Sequence, residues 1–518
     1  MSAHGAPGAL PLAVDLALAA LFGALQTLAF VHTGLWWLPL LGAAWLAWRV
    51  AQIAPRSLPG SAGALGSAGR RRAALLGWAY SAAWIGAGTW WLFISLHRYG
   101  GLAAPLAVAA VALLAAALAL YLGLALAVCA RWRRGRALPD ALLFAACWLL
   151  AELARGVIFT GFPWLASGYA QVDAPLAALA PWVGVYGIGA AGAALAALFV
   201  AGWGARGAAL AALALLALAP VPEFSRPGAA LTVSLLQTDV AQDEKFASAP
   251  MPDTLAMVAR SLVEARGALV VAPETAIPLL PQQLAELAPG YLEALQAHFA
   301  GPAQAALVGV PLGSFETAYT NSVIALAAGS SYRYDKFHLV PFGEFIPTGF
   351  RWFTQLMNIP LGDFARGLRQ PPSFAFAGAR IAPNICYEDL FGEELARRFA
   401  DPAMAPTVFA NVSNIGWFGD TIAIDQHLQI SRLRTLEFQR PMLRATNTGA
   451  TAIVDHRARV VAQLPPFTRA VLDGRVEGRE GITPFAWWAA RFGLWPLLGA
   501  ALAVVAAAAW VPRRRRAA

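Results

Sequence analysis

Two patterns of hydrophobic positions alternate along the chain. Up to residue 221, and again near the C-terminal end, long apolar stretches follow one another with few polar interruptions. A helix needs about 20 mainly apolar residues to cross a bilayer. The pattern therefore predicts a polytopic α-helical membrane domain with eight spans, seven before residue 222 and one after residue 482: 10–31, 35–53, 73–96, 102–130, 137–158, 183–204, 208–221 and 486–511.

Between residues 222 and 482 the apolar runs are short, and amphipathic stretches separate them. Short apolar runs bounded by turn residues are typical of strands, whereas apolar spacings of three and four are typical of helices. Strands are predicted at 231–236, 268–271, 306–310, 322–327, 380–385, 407–410, 450–455 and 470–473, and helices at 254–266, 289–299, 393–399 and 425–438. This mixed order predicts sheets covered by helices on their outer faces.

The composition excludes an ordinary soluble domain and a disordered chain. Hydrophobic residues make up 58 % of the sequence and charged residues 13 %, against about 45–50 % and 25 % in soluble domains. The net charge of +9 lies outside the central region, because residues 223–480 carry 21 basic and 25 acidic residues and the remainder carries 17 and 4. This distribution argues against a nucleic-acid partner.

The basic residues between the apolar stretches instead predict an orientation. Lys and Arg concentrate in the cytoplasmic loops of membrane proteins. All the strongly basic loops fall on one side only if there are eight spans and both termini are cytoplasmic. The same count places residues 222–482 on the outer side of the membrane.

The cysteines and histidines argue against a disulfide framework and a structural metal site. Cys129 and Cys147 lie in apolar stretches, so Cys386 is alone in the central region, and the seven histidines are scattered. Cys386 is predicted at a strand end before a helical turn, where nearby backbone amides lower a thiol pKa and stabilise an oxyanion. The alternative is a buried, inert cysteine.

Two further residues stand out chemically. Glu274 follows an apolar strand in VVAPET, and partial desolvation there raises a carboxylate pKa toward that of a general base. A surface or helix-capping Glu is the alternative. Lys336 is one of only two lysines, with Lys245, among 38 basic residues, and an ammonium has a compact charge and an adjustable pKa that Arg lacks. Lys336 could equally be a surface cation.

Glu274, Lys336 and Cys386, in this order and context, resemble the nitrilase superfamily. With the predicted spans, the chain is similar to its membrane-embedded family, the apolipoprotein N-acyltransferases of bacterial inner membranes. The similarity covers nearly the whole chain. Further segments that carry it are Glu152 with Arg155, FTGFPW at 159–164, PFGEFIP at 341–347, CYE at 386–388, WFGD at 417–420 and RPMLRATNTG at 440–449.

The resemblance implies an αββα sandwich in which Glu274 is the base, Lys336 stabilises the oxyanion and Cys386 is the nucleophile. It divides the chain into a membrane domain at 1–221, an extracytoplasmic nitrilase-like catalytic domain at 222–482, and a last span with a basic cytoplasmic tail at 483–518. It also implies acyl transfer from a membrane phospholipid through a Cys386 thioester to the N-terminal amine of diacylglyceryl-cysteine lipoproteins, by a monomer without a cofactor.

Several supporting residues are predicted with open alternatives. Glu344 and Glu388 are candidate orienting carboxylates or ordinary ion-pair members, and Tyr387 positions substrate or packs. Trp417 is a further candidate for a substrate-binding or supporting residue. Phe246 stands where the family often has a Trp, so an aromatic contact is kept and any role of an indole N–H is in doubt.

Two segments and two rival functions also remain open. Residues 349–358 are predicted as a lid or membrane-dipping arm, or alternatively as a core helix. Glu152 and Arg155, three residues apart near the end of a predicted span, form an ion pair or a functional intramembrane site. The rival functions are a membrane-tethered amidase, which would keep the same three residues, and a transporter, which would usually show paired, broken helices.

Overall fold

The apolar stretches fold as helices in the computed structural model, which describes residues 10–53, 67–219, 221–349 and 363–510. The predicted segment 349–358 lies outside the described residues except for Gly349. The helices of the N-terminal part are α1 Leu12–Leu25, α2 Trp37–Ile53, α3 Ser67–Gly88, α4 Ala104–Trp132, α5 Ala137–Val157, α6 Ala180–Val200 and α7 Trp203–Leu218. A helix therefore covers at least part of each of the first seven predicted spans.

Length and hydropathy single out fewer spans than the sequence pattern. Within the described ranges, four helical segments are long and apolar enough to cross a membrane: Leu12–Phe30, Ala104–Trp132, Ala137–Thr160 and Pro175–Val200. A fifth is added if α12 Pro484–Phe492 and α13 Trp495–Trp510 count together, but these two helices meet at 87°. Gly493, which links them, has a φ of +54°. The last predicted span is therefore broken, and the count of eight stays a prediction.

The central region forms two six-stranded sheets. The first has the order β12-β1-β2-β3-β4-β5 and the second β11-β10-β9-β8-β7-β6. Strands β1 to β3 and β7 to β9 run parallel at the centres of the two sheets. The strands are β1 Ser225–Gln237, β2 Leu269–Val271, β3 Ala305–Gly313, β4 Tyr319–Leu326, β5 Arg333–Asp335, β6 Phe374–Phe376, β7 Ala379–Ile385, β8 Val408–Ser413, β9 Met442–Thr446, β10 Ala452–Val454, β11 Val460–Gln463 and β12 Ala470–Gly481.

Alternation along the strands places one hydrophobic set between the sheets. Leu269 and Val271 of β2 pack with Val408 and Ala410 of β8 in a shared core, whereas Val270 faces outward. The outer face of the first sheet is covered by α8 Met251–Glu264, α9 Pro281–Leu287 and α10 Tyr291–His298. The expected helices on the outer faces of the sheets are therefore present, and all eight predicted strands are confirmed.

The second sheet packs toward the N-terminal helices. Its outer face carries α11 Ala423–Phe438, whose buried side chains share one apolar cluster with the membrane helices. Gln426 accepts hydrogen bonds from the indole N–H groups of Trp164 and Trp91, at 2.8 and 3.1 Å. At the other end of α11, the carboxylate of Glu437 accepts from the Val185 amide of α6 at 2.7 Å. Polar contacts at both ends thus fix the two parts of the chain to each other.

Candidate active site

The residues singled out by their chemistry meet at one edge of the two sheets. Glu274 follows β2 and Cys386 follows β7, and both strands belong to the parallel centres of their sheets. The carboxyl ends of parallel strands are where α/β proteins place their sites. Lys336 follows β5 at the edge of the first sheet. The sandwich therefore brings together three residues that are at least 50 positions apart from one another along the chain.

Glu274 lies in a tight turn that rests on β3. Thr275, the next residue, has a φ of +48°, a left-handed conformation that is uncommon outside glycine. Gly309 of β3 allows this turn to approach, because a Cβ there would lie 2.8 Å from the Glu274 Cα, 2.7 Å from the Thr275 amide nitrogen, and closer still to the Pro273 carbonyl oxygen. The main chain is therefore pressed against the strand, which fixes the direction of the Glu274 side chain.

The ammonium of Lys336 lies between two carboxylates. Its Nζ is 3.3 Å from Glu274 Oε1 and 2.9 Å from Glu344 Oε1, and only 1 % of the Lys336 side chain is exposed. Burial alone would lower the pKa of Lys336, but the charges of Glu274 and Glu344 outweigh it and raise the pKa above its ordinary value. The cation is therefore retained at neutral pH inside the protein.

Cys386 occupies a strained turn at the end of β7. Its φ of +51° lies in the left-handed region, which a non-glycine residue enters at a cost and which is common at functional sites. Burial and the Glu274 carboxylate raise the pKa of its thiol to about 12, against the opposing effect of Lys336. The site at rest therefore holds a neutral thiol, and attack by sulfur requires a base.

Two asparagines that the sequence analysis did not identify orient the carboxylates. The side-chain amide of Asn321, on β4, donates to Glu274 Oε1 and to Glu344 Oε1, each at 2.7 Å. The backbone amide of Asn414, just after β8, donates to Glu274 Oε2 at 2.8 Å. Both oxygens of the Glu274 carboxylate are thus held. Asparagine is common at strand ends for many reasons, so the sequence offered no signal for either residue.

Glu388 joins the segment after Lys336 to the strand before Cys386. Its carboxylate accepts hydrogen bonds from the amides of the two residues that follow Lys336, at 2.8 and 3.1 Å, and from the Ile385 amide at 2.8 Å. Burial raises its pKa, and the Tyr334 hydroxyl, the Ile385 amide and the charge of Lys336 oppose the rise. Glu388 therefore touches the backbone on both sides of the site.

The remaining predicted residues lie around this centre. The Tyr387 hydroxyl donates to the Gly161 carbonyl at 3.0 Å, which links the Cys386 turn to the loop after α5. Trp417 is partly buried and packs edge-on against Tyr99, with ring centroids 5.7 Å apart. Phe246 is partly exposed next to the buried Lys245. Among the residues that the structure describes, no three His, Cys, Asp or Glu side chains converge in a way that could hold a metal ion.

The intramembrane pair is formed as an ion pair. Arg155 Nη2 lies 3.5 Å from Glu152 Oε1, and both side chains are buried. Glu152 also accepts a hydrogen bond from the Ser167 amide at 2.7 Å, and Arg155 donates to the Leu165 carbonyl at 3.0 Å. The ion-pair interpretation therefore holds for Arg155 and Glu152 Oε1, whereas Glu152 Oε2 is buried without a hydrogen-bond partner in the part of the chain that the structure describes.

Comparison with known proteins identifies both parts of the chain. Residues 22–198 match the apolipoprotein N-acyltransferase N-terminal domain, and residues 232–479 match the carbon-nitrogen hydrolase family. The apolipoprotein N-acyltransferase of Verminephrobacter eiseniae is 53 % identical over 489 residues, which is 89 % of each chain. That of Ralstonia nicotianae is 46 % identical over 96 % of this chain and 94 % of its own. The amidase of Nesterenkonia sp. AN1 is similar in structure to 47 % of this chain and 92 % of its own, with 13 % identity and a TM-score of 0.35. The chain belongs to the apolipoprotein N-acyltransferase family.

Proposed function

We propose that this protein transfers a fatty acyl chain from a membrane phospholipid to the N-terminal amine of diacylglyceryl-cysteine lipoproteins, through a thioester on Cys386. The observation that carries the proposal is the convergence of Glu274, Lys336 and Glu344 beside the strained turn of the chain's one cysteine outside the apolar helices. Family membership supplies the substrate classes.

In the first step, Glu274 takes the proton of the Cys386 thiol as sulfur attacks the carbonyl carbon of a phospholipid acyl ester. Because the pKa of this thiol is raised to about 12, proton removal accompanies attack. The carbonyl oxygen becomes an oxyanion, which the ammonium of Lys336 and a backbone amide after Cys386 stabilise. When the C–O bond breaks, Glu274 returns the proton to the leaving oxygen, and a lysophospholipid departs.

In the second step, the uncharged α-amine of the lipoprotein attacks the thioester carbonyl. Glu274 takes a proton from the amine, the C–S bond breaks, and the proton returns to sulfur as the amide forms. A thioester is more reactive toward amines than the starting oxygen ester, so the intermediate makes the transfer to the amine faster. Water must be kept out until the amine arrives, because hydrolysis would otherwise consume the acyl chain.

Glu344 and Glu388 act in this scheme as positioning residues. Glu344 accepts from the Lys336 ammonium together with Glu274 and also accepts from the Val340 amide at 2.8 Å. Glu388 keeps the segments of Lys336 and Cys386 at a fixed separation. We place the lipid substrates on the side of the site that faces the N-terminal helices and the segment after β1. This side is lined by Tyr387, Trp417 and Phe246.

The topology completes the proposal. Eight spans with both termini cytoplasmic would place residues 222–482 on the periplasmic side of the inner membrane, where the lipoprotein amine is exposed after export. The basic loops support this orientation. The chain then consists of a membrane domain at 1–221, a catalytic domain at 222–482, and a C-terminal span with a basic tail, and it works as a monomer.

The experiment is a transfer assay with purified protein, labelled phospholipid and a synthetic diacylglyceryl-cysteine peptide. The parent should produce an N-acylated peptide, and Cys386→Ala should not. A membrane-tethered amidase would instead hydrolyse small amides and leave the lipopeptide unmodified, which would overturn the proposal. Because Cys129 and Cys147 lie among the membrane helices, Cys147→Ala is a control for cysteine removal that should retain transfer.

A further inference from the structure

The two lysines of the chain both lie inside the candidate site. The sequence contains 36 Arg and 2 Lys, and Lys245 is 3 % and Lys336 1 % exposed. Lys245 lies in the segment that follows β1, residues 238–246, which we call the β1 exit. The sheets bring this segment to the turn that carries Glu274. We propose that Lys245 is a second positioning residue of the acyl-transfer site. Its ammonium holds the Glu274 turn. It also balances the second of the two carboxylate charges in the site, since Lys336 balances only one of them. This inference rests on the proposed function of Glu274 and Cys386.

The first argument is geometric. Lys245 Nζ donates to the main-chain carbonyl of Glu274 at 3.0 Å, and both groups are buried. Gly309 supports the same turn from β3, where there is no room for a Cβ. The turn is therefore held from the strand and from the β1 exit. An ammonium is compact enough to reach a carbonyl in this space, whereas a guanidinium is wider and planar.

The segment that carries Lys245 is itself tied to the site. The side chain of Asn447, after β9, accepts from the Val240 amide at 2.9 Å and donates to the Val240 carbonyl at 2.8 Å. Gln242 accepts from the side chain of Asn414 at 2.8 Å, and the Asn414 amide in turn holds the Glu274 carboxylate. The β1 exit thus has no freedom to carry Lys245 away from Glu274.

The second argument is the balance of charge. Glu274 and Glu344 are two carboxylates, and within the described ranges Lys336 is the one cation that contacts both. A second ammonium makes the resting cluster neutral, and the cluster stays neutral when Glu274 takes the thiol proton and the negative charge moves to sulfur and then to the acyl oxygen. Burial lowers the pKa of Lys245 to about 8, although the charges of Glu274 and Cys386 oppose the decrease. It therefore remains mostly protonated at pH 7.

Lys245 is one of several ionisable groups around the thiol. Those that interact with Cys386 come from the β1 exit, the β2 turn, the segment after β5, the nucleophile turn, α11 and β9: Lys245, Glu274, Lys336, Glu344, Tyr387, His427 and Arg444. Burial and Arg444 lower the pKa of His427 well below its ordinary value, so that His427 is neutral. Loss of the Lys245 charge should therefore make the thiolate harder to form.

The test compares Lys245→Met and Lys245→Gln with the parent protein in detergent. Below pH 8, where Lys245 of the parent is protonated, iodoacetamide should alkylate Cys386 of both variants about three- to tenfold more slowly than in the parent, because a nearby cation is lost. Both should form the thioester from labelled phospholipid at least about tenfold more slowly, because the base is less firmly placed. Lys245→Arg keeps the charge but not the compact shape, so it should restore the alkylation profile while thioester formation stays slow. Arg260→Met, which removes an exposed cation of α8, is the matched control and should behave as the parent.

Several outcomes would overturn the inference. Alkylation profiles of both neutral variants that superimpose on that of the parent would show that the charge of Lys245 does not act on the site. Failure of both neutral variants to fold would make Lys245 a structural residue only. Absence of the thioester in the parent protein would instead contradict the proposed function itself, so the two failures are distinguishable.

Discussion

The close contact between β3 and the Glu274 turn leads to a sharp prediction for Gly309→Ala. The added Cβ would meet the Glu274 Cα at 2.8 Å and the Thr275 nitrogen at 2.7 Å, besides the Pro273 carbonyl oxygen. Ordinary contacts need at least 3.4 Å, so these two atoms of the turn must move away from the new Cβ by at least 0.6–0.7 Å. Both sides of this contact are main chain, and a side-chain rotation cannot relieve it.

The expected result is a large loss of activity with a moderate loss of stability. Overpacking at a buried position costs about 1–3 kcal/mol of unfolding free energy. A misplacement of about 1 Å in a reacting group costs about 10²-fold in rate. The rate of thioester formation on Cys386 should therefore decrease by about one to two orders of magnitude at a temperature at which the variant remains folded.

The assay measures acyl-Cys386 by mass spectrometry after mixing with labelled phospholipid, with thermal unfolding followed in parallel. Gly301→Ala is the control, because a Cβ there meets no atom within 4 Å and the same residue type is exchanged. This control should match the parent in rate and stability. A folded Gly309→Ala protein with a parental rate would refute the claim that the position of Glu274 limits the reaction.

Three further predictions follow from the same geometry and from the charge pattern. Lys336→Arg should lower thioester formation by roughly 10²–10³, since an oxyanion donor is worth ~3–4 kcal/mol; a rate within a few-fold of the parent, with matched stability, would show that Lys336 is not catalytic. Because the pKa of Cys386 is raised to about 12, its alkylation by iodoacetamide should accelerate continuously from pH 7 to pH 10 as thiolate forms; a plateau near neutrality would contradict this. A reporter that folds only after export, inserted near Gly301, should be active, and a cytoplasmic signal would overturn the topology.

The sequence predicted the central strands because their apolar pattern is unambiguous. The four strands that it missed are Arg333–Asp335, Phe374–Phe376, Met442–Thr446 and Val460–Gln463. In the third of these, Arg444 points into the protein and is neutralised by Asp389, with Nη1 and Oδ2 3.2 Å apart. A buried Arg in the middle of a strand breaks the apolar pattern, and its compensating charge comes from a distant turn that local sequence cannot indicate.

The candidate site was predictable where chemistry is carried by unusual residues. Cys386 stood out as a solitary thiol, and the scarcity of lysine drew attention to Lys336. The residues that hold the Glu274 carboxylate, Asn321 and Asn414, were not predictable, since their contribution depends on contacts between segments that are distant in the sequence. Lys245 is the other of the two lysines in the sequence, but only the folded chain places it against the Glu274 turn.

The membrane part illustrates the limit of hydropathy. The stretch at 486–511 is apolar throughout apart from Arg491, and therefore reads as one span. In the structure, Pro484–Phe492 and Trp495–Trp510 meet at 87°. The buried side of the first helix, at Phe485 and Ala486, packs into the apolar cluster beneath the second sheet. This helix therefore packs against the central region, a contact that hydropathy does not report.

The most direct test of the central claim is the mass of the Cys386 peptide after the purified protein is incubated with labelled phospholipid and no acceptor. We expect one acyl chain on Cys386, released by hydroxylamine and transferred to the amine when a diacylglyceryl-cysteine peptide is added. An unmodified Cys386 in a preparation that still N-acylates the peptide would contradict a covalent mechanism.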